Sequence, residues 1–183
     1  QDINNDVTGH YKLGANIDLE NSEFTPIGNA DTGAFSGSFD GNGYTIKNLM
    51  VNGGKYAGLF GCNEGDIQNV TVENVDVSGT RYIGGIVGEN TKNGTIKNCS
   101  VEKGNIVAEE GINDILMGGV CGYNCGELRG KCNNSSNLTT EKNDNAEKLY
   151  LGGIVGFDSG ILKLENSRNE GTINNKFCTE RIL

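Results

Sequence analysis

The stretch RYIGGIVGENTKNGTIKNC (81–99) decides how this chain folds, because it recurs. YAGLFG opens at Tyr56, MGGVCG at Met117 and LGGIVG at Leu151, each with glycine, two apolar residues and glycine in a row. The second half returns as TIKNL at Thr45, DIQNV at Asp66, TIKNC at Thr95 and KLENS at Lys163. Self-similarity of this kind marks stacked units, none of which can bury its apolar face alone. The Gly-apolar motif starts at Ala57, Gly84, Gly118 and Gly152, so successive starts lie 27, 34 and 34 residues apart. That is the length of one solenoid coil, with room for three short strands. In one coil they read YIGGIVG (82–88), TIKNCSV (95–101) and NIVAE (105–109).

Simple alternation fails inside these segments. Ile86 and Val87 are adjacent and both apolar, and period two would place one of them in water. Ile96 and Cys99 are three apart, so the phase flips between them. A flip needs a bend; glycine allows one, and Asn98 allows one because asparagine tolerates left-handed backbone. Asn48, Asn69, Asn98 and Asn166 hold similar slots and are expected to stack as a ladder at one corner, a known stabiliser of stacked strands. The fold class expected is all-β, a right-handed parallel β-helix of about five coils. Residues 1–52 read as an N-terminal cap and first coil, 53–175 as the repeat coils and 176–183 as a tail, in one domain. Asp40-Gly41-Asn42-Gly43 in the cap is a tight-turn signal.

Bulk composition excludes several partners. The 183 residues carry a net charge of -9, with 15 basic and 24 acidic side chains. Nucleic acid and anionic membrane surfaces both call for a basic stripe, and no apolar run is long enough to cross a bilayer. The six cysteines form no CxxC pair, and His10 is the lone histidine, so no zinc site is expected. Cys99 stands in a slot like that of Leu49 and Val70, and Cys121 in that of Val87 and Val155, as small buried hydrophobes. Cys125 falls in a turn and is the thiol expected to be exposed. The cysteines fit either redox state.

GGIVGENTKNGTIKNCSV and AGLFGCNEGDIQNVTV resemble the GLUG motif of bacterial surface proteins. YKLGANIDL, FTPIGN and FSGSFDGNGYTIKNL resemble the segment that often precedes it. The resemblance runs from about Tyr11 to Asn174; the fourth coil departs from it, with GELRGKC at Gly126 lacking the corner asparagine. It implies an extracellular, non-catalytic module of a cell-surface or secreted protein: an adhesin-like piece, a spacer, or an accessory domain of an immunoglobulin A-cleaving peptidase. It also implies a monomeric domain within a longer chain, with a host protein or glycan as partner.

The chemistry available is sparse. There is no HExxH, and a single histidine leaves nucleophile triads without support. Many parallel β-helices are polysaccharide lyases or glycosidases, which keeps an enzyme reading open. The carboxylates to weigh for it are Asp18 with Glu20, Glu73 with Asp76, and Glu109 with Glu110. The two longer coils add seven residues each just before the next Gly motif, as loops EEGIND (109–114) and EKNDNAEK (141–148). Insertions on one face of a solenoid are often its binding face. Glu109, Glu110, Asp114, Glu141 and Asp144 there are candidate ligand residues, and calcium is the ion they would suit. Tyr56, Tyr82 and Tyr150 precede successive or alternate Gly motifs and would form an aromatic stripe, either packing the coils together or serving a glycan. No cofactor is expected otherwise.

Overall fold

The computed structural model describes residues 3–29, 32–111, 113–141 and 146–176. One 3-10 turn, Ile3–Asn5, precedes strands throughout, and no helix is long and apolar enough to cross a membrane. Among the described residues the named strands all pair in parallel, and equivalent residues of successive coils lie in register. The chain is a parallel β-solenoid of about five turns with four faces. Face I stacks His10–Lys12, Ser38–Asp40, Asp66–Gln68, Thr95–Lys97, Glu127–Gly130 and Ile161–Leu164. Face II is the largest, built around Thr45–Lys47, Thr71–Gly79, Ser100–Ala108 and Asn137–Thr140. Face III holds Tyr56–Ala57, Tyr82–Gly84, Ile115–Gly118 and Leu149–Gly152; face IV holds Phe60–Asn63, Val87–Asn90, Cys121–Asn124 and Val155–Asp158.

Four faces rather than three follow from the phase flips. YIGGIVG splits into two strands at Gly85 and Ile86, so both Ile86 and Val87 turn inward and are fully buried. TIKNCSV splits at Asn98 and Cys99 in the same way, while residues 100–108 run on as one strand. Inside, each position forms a column along the axis. Phe39, Ile67, Ile96 and Leu128 stack in register and are at most 3% exposed. Each such side chain stabilises the fold by about 1.5–3 kcal/mol. At the first coils the filling is aromatic, with the Phe35 and Phe60 rings 5.1 Å apart and Phe39 and Phe60 5.3 Å apart. Where the described coils end, Leu162 and Ile173, in register with buried Leu128 and Leu138, are each 43% exposed.

The corners use left-handed residues. Asn69 and Asn98 (φ 54° and 52°) turn face I into face II, and Gly130 (φ 73°) takes that place in the fourth coil. Asn166 is also left-handed (φ 52°), two residues before Arg168 as Asn98 is two before Ser100. Asn48 belongs elsewhere. Thr45 pairs with Thr71, so TIKNL lies on face II, and Asn48 stacks on Asn74, with Leu49 beside neither Val70 nor Cys99. The displacement comes from the Gly41-Asn42-Gly43 turn, which lengthens the preceding corner: Asn42 and Gly43 have φ of 51° and 79°, and the Asn42 amide donates to Asp40 Oδ1 at 2.8 Å.

Candidate functional site

The edge between faces II and III gathers the connections that vary most. From coil to coil it carries residues 52–55, 80–81, 109–114 and 141–148, shortest in the second of these coils and longest in the fourth. Of the acidic residues expected there, Glu109 is half-buried, Glu110 exposed, and Glu141 exposed with Lys176 Nζ 3.8 Å away. Asp114 Oδ1 is buried without a hydrogen-bond partner among the described residues. Asp144 lies outside the described residues. Among the described residues no three acidic, histidine or cysteine side chains come together as a metal-ligating group. Loop growth here costs little, because loop-closure entropy rises slowly with length.

Beside this edge runs an aromatic column, differently composed from the expected stripe. Tyr56 and Tyr82 stack at 5.2 Å, and Tyr82 stacks next on Tyr123 of face IV at 5.7 Å. Tyr123 meets Phe157 at 5.7 Å, and Tyr150 meets Phe157 edge-on at 4.8 Å. Leu116 occupies the register position between Tyr82 and Tyr150, so Tyr123 fills the gap from the next face. Lys55 Nζ sits 4.7 Å over the Tyr56 ring and the Arg81 guanidinium 4.8 Å over that of Tyr82. The ring faces are thus spent on one another and on cations, each contact adding about 0.5–1.5 kcal/mol. A sugar ring would need an open face, so the central tyrosines act as cross-coil packing. Phe157, 37% exposed, is the most open ring of the column. Glu89 lies against this column and its carboxyl is pushed up by burial, opposed by Lys55 and Arg81.

The asparagines form more ladders than expected. At the first corner Asn98 Nδ2 donates to Asn69 Oδ1 (3.4 Å), Asn69 Nδ2 donates to Asp40 Oδ1 (3.1 Å), and the Lys131 amide closes on Asn98 Oδ1 (3.1 Å). Asn48 joins a second ladder, donating to Asp18 and accepting from Asn74, both at 2.7 Å. A third, which the reading of the corners missed, ends face IV. Asn63 donates to Asn90 (2.8 Å), Asn90 to Asn124 (2.7 Å) and Asn124 to Asp158 (2.6 Å), with all three asparagines fully buried. Its signal was present in FGCN, VGEN, CGYN and VGFD, one Asn or Asp two residues after each glycine.

The remaining candidates are engaged structurally. Asp18 is held below the usual carboxylate range by the Asn48 amide, and Glu73 by Lys47 and Lys103 at 2.9 and 3.1 Å. A glycosidase acid needs its pKa raised, the opposite shift. His10 Nδ1 lies 2.8 Å from Ser38 Oγ, but Asp66 stacks on Ser38, not on the far side of His10, so among the described residues no carboxylate orients the ring as in a triad. Burial pushes the Cys99 thiol up to about 12 and Cys62 up to about 11, and raises Cys121 and Cys132 as well. Cys121 occupies the Val87–Val155 column as expected, and Cys99 that of Val70. Cys125 is half-buried, with Ser159 Oγ 3.6 Å from its sulfur.

Known proteins share this architecture. A Bacteroides ovatus protein, itself only proposed to be an immunoglobulin A1 protease, has a crystal structure that matches with a TM-score of 0.60 at 22% identity, over 90% of this chain and 60% of that one. Immunoglobulin A1 protease of Streptococcus sanguinis is 28% identical over 96% of the chain, and that of Streptococcus pneumoniae 25% over 94%. Halomucin of Haloquadratum walsbyi is 40% identical over 55% of it. The chain spans about a tenth of the two proteases, 11% and 10%, and 1% of halomucin. Residues 1–103 match the family described as the M26 IgA1-specific metallo-endopeptidase N-terminal region, and the chain belongs to that family.

Proposed function

We propose that this chain is a non-catalytic, extracellular accessory module of an immunoglobulin A1 protease-like protein, and that the edge between faces II and III is its adhesive surface. One observation carries the reading: the connections of four successive coils fall between the same two faces, so they share a single edge. The partner fitted to such an edge is a host glycoprotein, met through loop backbone and acidic side chains rather than through ring faces. The family and the engaged state of Asp18 and Glu73 support a role outside catalysis. A spacer is the second reading, favoured by the in-register stacking of successive coils into a rod. The test is binding of the isolated chain to immunoglobulin A1 and to a host glycoprotein array. It is repeated with residues 109–114 replaced by a two-residue connection like Thr80-Arg81, and with Glu109→Ala/Glu141→Ala. Binding lost in the loop variant supports the adhesive edge. No binding by the parent chain, or binding unchanged in both variants, leaves the spacer. Cleavage of immunoglobulin A1 by the chain alone would overturn the non-catalytic assignment.

A further inference from the structure

Face I has a second, unrelated feature. Its strands bury their middle residue and turn the flanking two outward, so register sets the order of charges along the surface. One outward column reads Lys12, Asp40, Gln68, Lys97, Arg129, Lys163. Its first half is balanced, with Lys12 beside Asp40 and then a neutral amide. Its second half is three cations in succession, about 4.8 Å from one coil to the next. Like charges directly across neighbouring strands destabilise a sheet, and the fold places no demand on these outward positions, since Gln68 serves in the same column. Glu127 answers two of the three, with Lys163 Nζ at 3.4 Å and Arg129 Nη1 at 3.9 Å. Lys97 and Arg129 also border one side of a groove of about 200 Å³ that Thr95 and Gln68 line as well, with Asp40 and Asp66 at its other side. In a chain of net charge -9, this concentration of cations opposes the overall field.

We propose that Lys97, Arg129 and Lys163 form a rail that binds a linear acidic polysaccharide, each cation taking one carboxylate or sulfate of the polymer. The hydroxyl of Thr95 and the amide of Gln68 offer hydrogen bonds to sugar hydroxyls alongside. A polysaccharide is favoured over nucleic acid because the column Lys12, Asp40, Gln68, Lys97, Arg129, Lys163 holds no aromatic ring on which a base could stack, while Thr95 and Gln68 beside it suit hydroxyls. The rail lies away from the loop edge and does not depend on it.

The test measures binding of heparin oligosaccharides (sulfated), alginate oligosaccharides (carboxylated), neutral dextran and a single-stranded oligonucleotide at low and physiological salt. Two variants are compared: Lys97→Gln/Arg129→Gln/Lys163→Gln, and a charge-matched control, Lys47→Gln/Lys92→Gln/Lys103→Gln. All six side chains are at the surface, and unfolding midpoints confirm that both variants fold. The expected result is binding of at least one acidic polysaccharide, weakened by salt. The rail variant then loses about tenfold in affinity or more, the control about twofold or less. The heparin and alginate arms decide between sulfate and carboxylate. Absence of acidic polysaccharide binding at low salt, equal losses in the two variants, or tighter binding of the oligonucleotide would each overturn the proposal.

Discussion

Two of the asparagine ladders along this solenoid do different work. The one ending face IV, Asn63–Asn90–Asn124–Asp158, is buried, and its links measure 2.8, 2.7 and 2.6 Å. The one at the first corner, Asp40–Asn69–Asn98, faces water, and its links measure 3.1 and 3.4 Å. In the buried ladder the amide also holds the following turn, as Asn63 does by accepting from Gly65 N and donating to Gly65 O. In the exposed ladder the asparagine is needed first for its left-handed backbone and only second for its side chain. Burial makes the same side chain a structural strut in one place and a conformational choice in the other, because an unmet polar group costs far more away from water.

Substitution should separate the two roles. Asn90→Ala removes an acceptor from Asn63 and a donor from Asn124 and leaves a cavity. The expected loss is about 3 kcal/mol in urea-unfolding free energy; a loss below that of Asn98→Ala would break the comparison. Gly94→Ala attacks the seat of the same ladder, since a Cβ there would collide with Asn90 Oδ1 and the Asn63 carbonyl, and about 2 kcal/mol is expected in the same assay. Asn98→Ala should cost about 1 kcal/mol, chiefly from forcing alanine into left-handed backbone, and Asn98→Gly should recover most of it. If the glycine variant is no better than alanine, the side-chain link matters more than the backbone.

The smallest effect is in pH. Asp40 is held below the usual carboxylate range by the Asn69 amide first and the Asn42 backbone amide second. A depressed carboxyl contributes stability that is fully present above the unfolded value, about 3.9, and is lost as pH falls through the folded one. Calorimetric unfolding should therefore show a midpoint that drops below about pH 4, and Asp40→Asn should lower the midpoint slightly at pH 7 and flatten that drop, so that variant and parent converge in acid.

Much of the architecture was legible in the chain. The Gly-apolar motif and its spacing gave the solenoid, and the adjacency of Ile86 and Val87 demanded a bend. The number of faces was not legible, since a bend and a corner look alike until register shows that residues on either side join different sheets. Asn48 was misplaced for a related reason: an asparagine before an apolar residue signals a left-handed corner, but not which corner. Asn63, Asn90 and Asn124 escaped notice because an asparagine at the end of a short glycine-containing strand reads as the start of a turn, and only stacking reveals that the amide is buried. Of the candidate site, the loop edge followed from coil length, whereas Tyr123 joined the aromatic column from another face, a contact that sequence spacing does not encode.

The ladders also have a grammar. Each internal asparagine both gives and receives, so it can follow and precede a copy of itself without limit. Each ladder closes on a residue that only receives: Asp40 and Asp18 at the leading end, Asp158 at the trailing one. A coil duplicated between these stops would be readable to its neighbours as it stands, lengthening the rod by about 4.8 Å. A coil added outside them would meet a full stop. Reach is therefore the easy thing for evolution to change in this molecule, and its ends the hard thing.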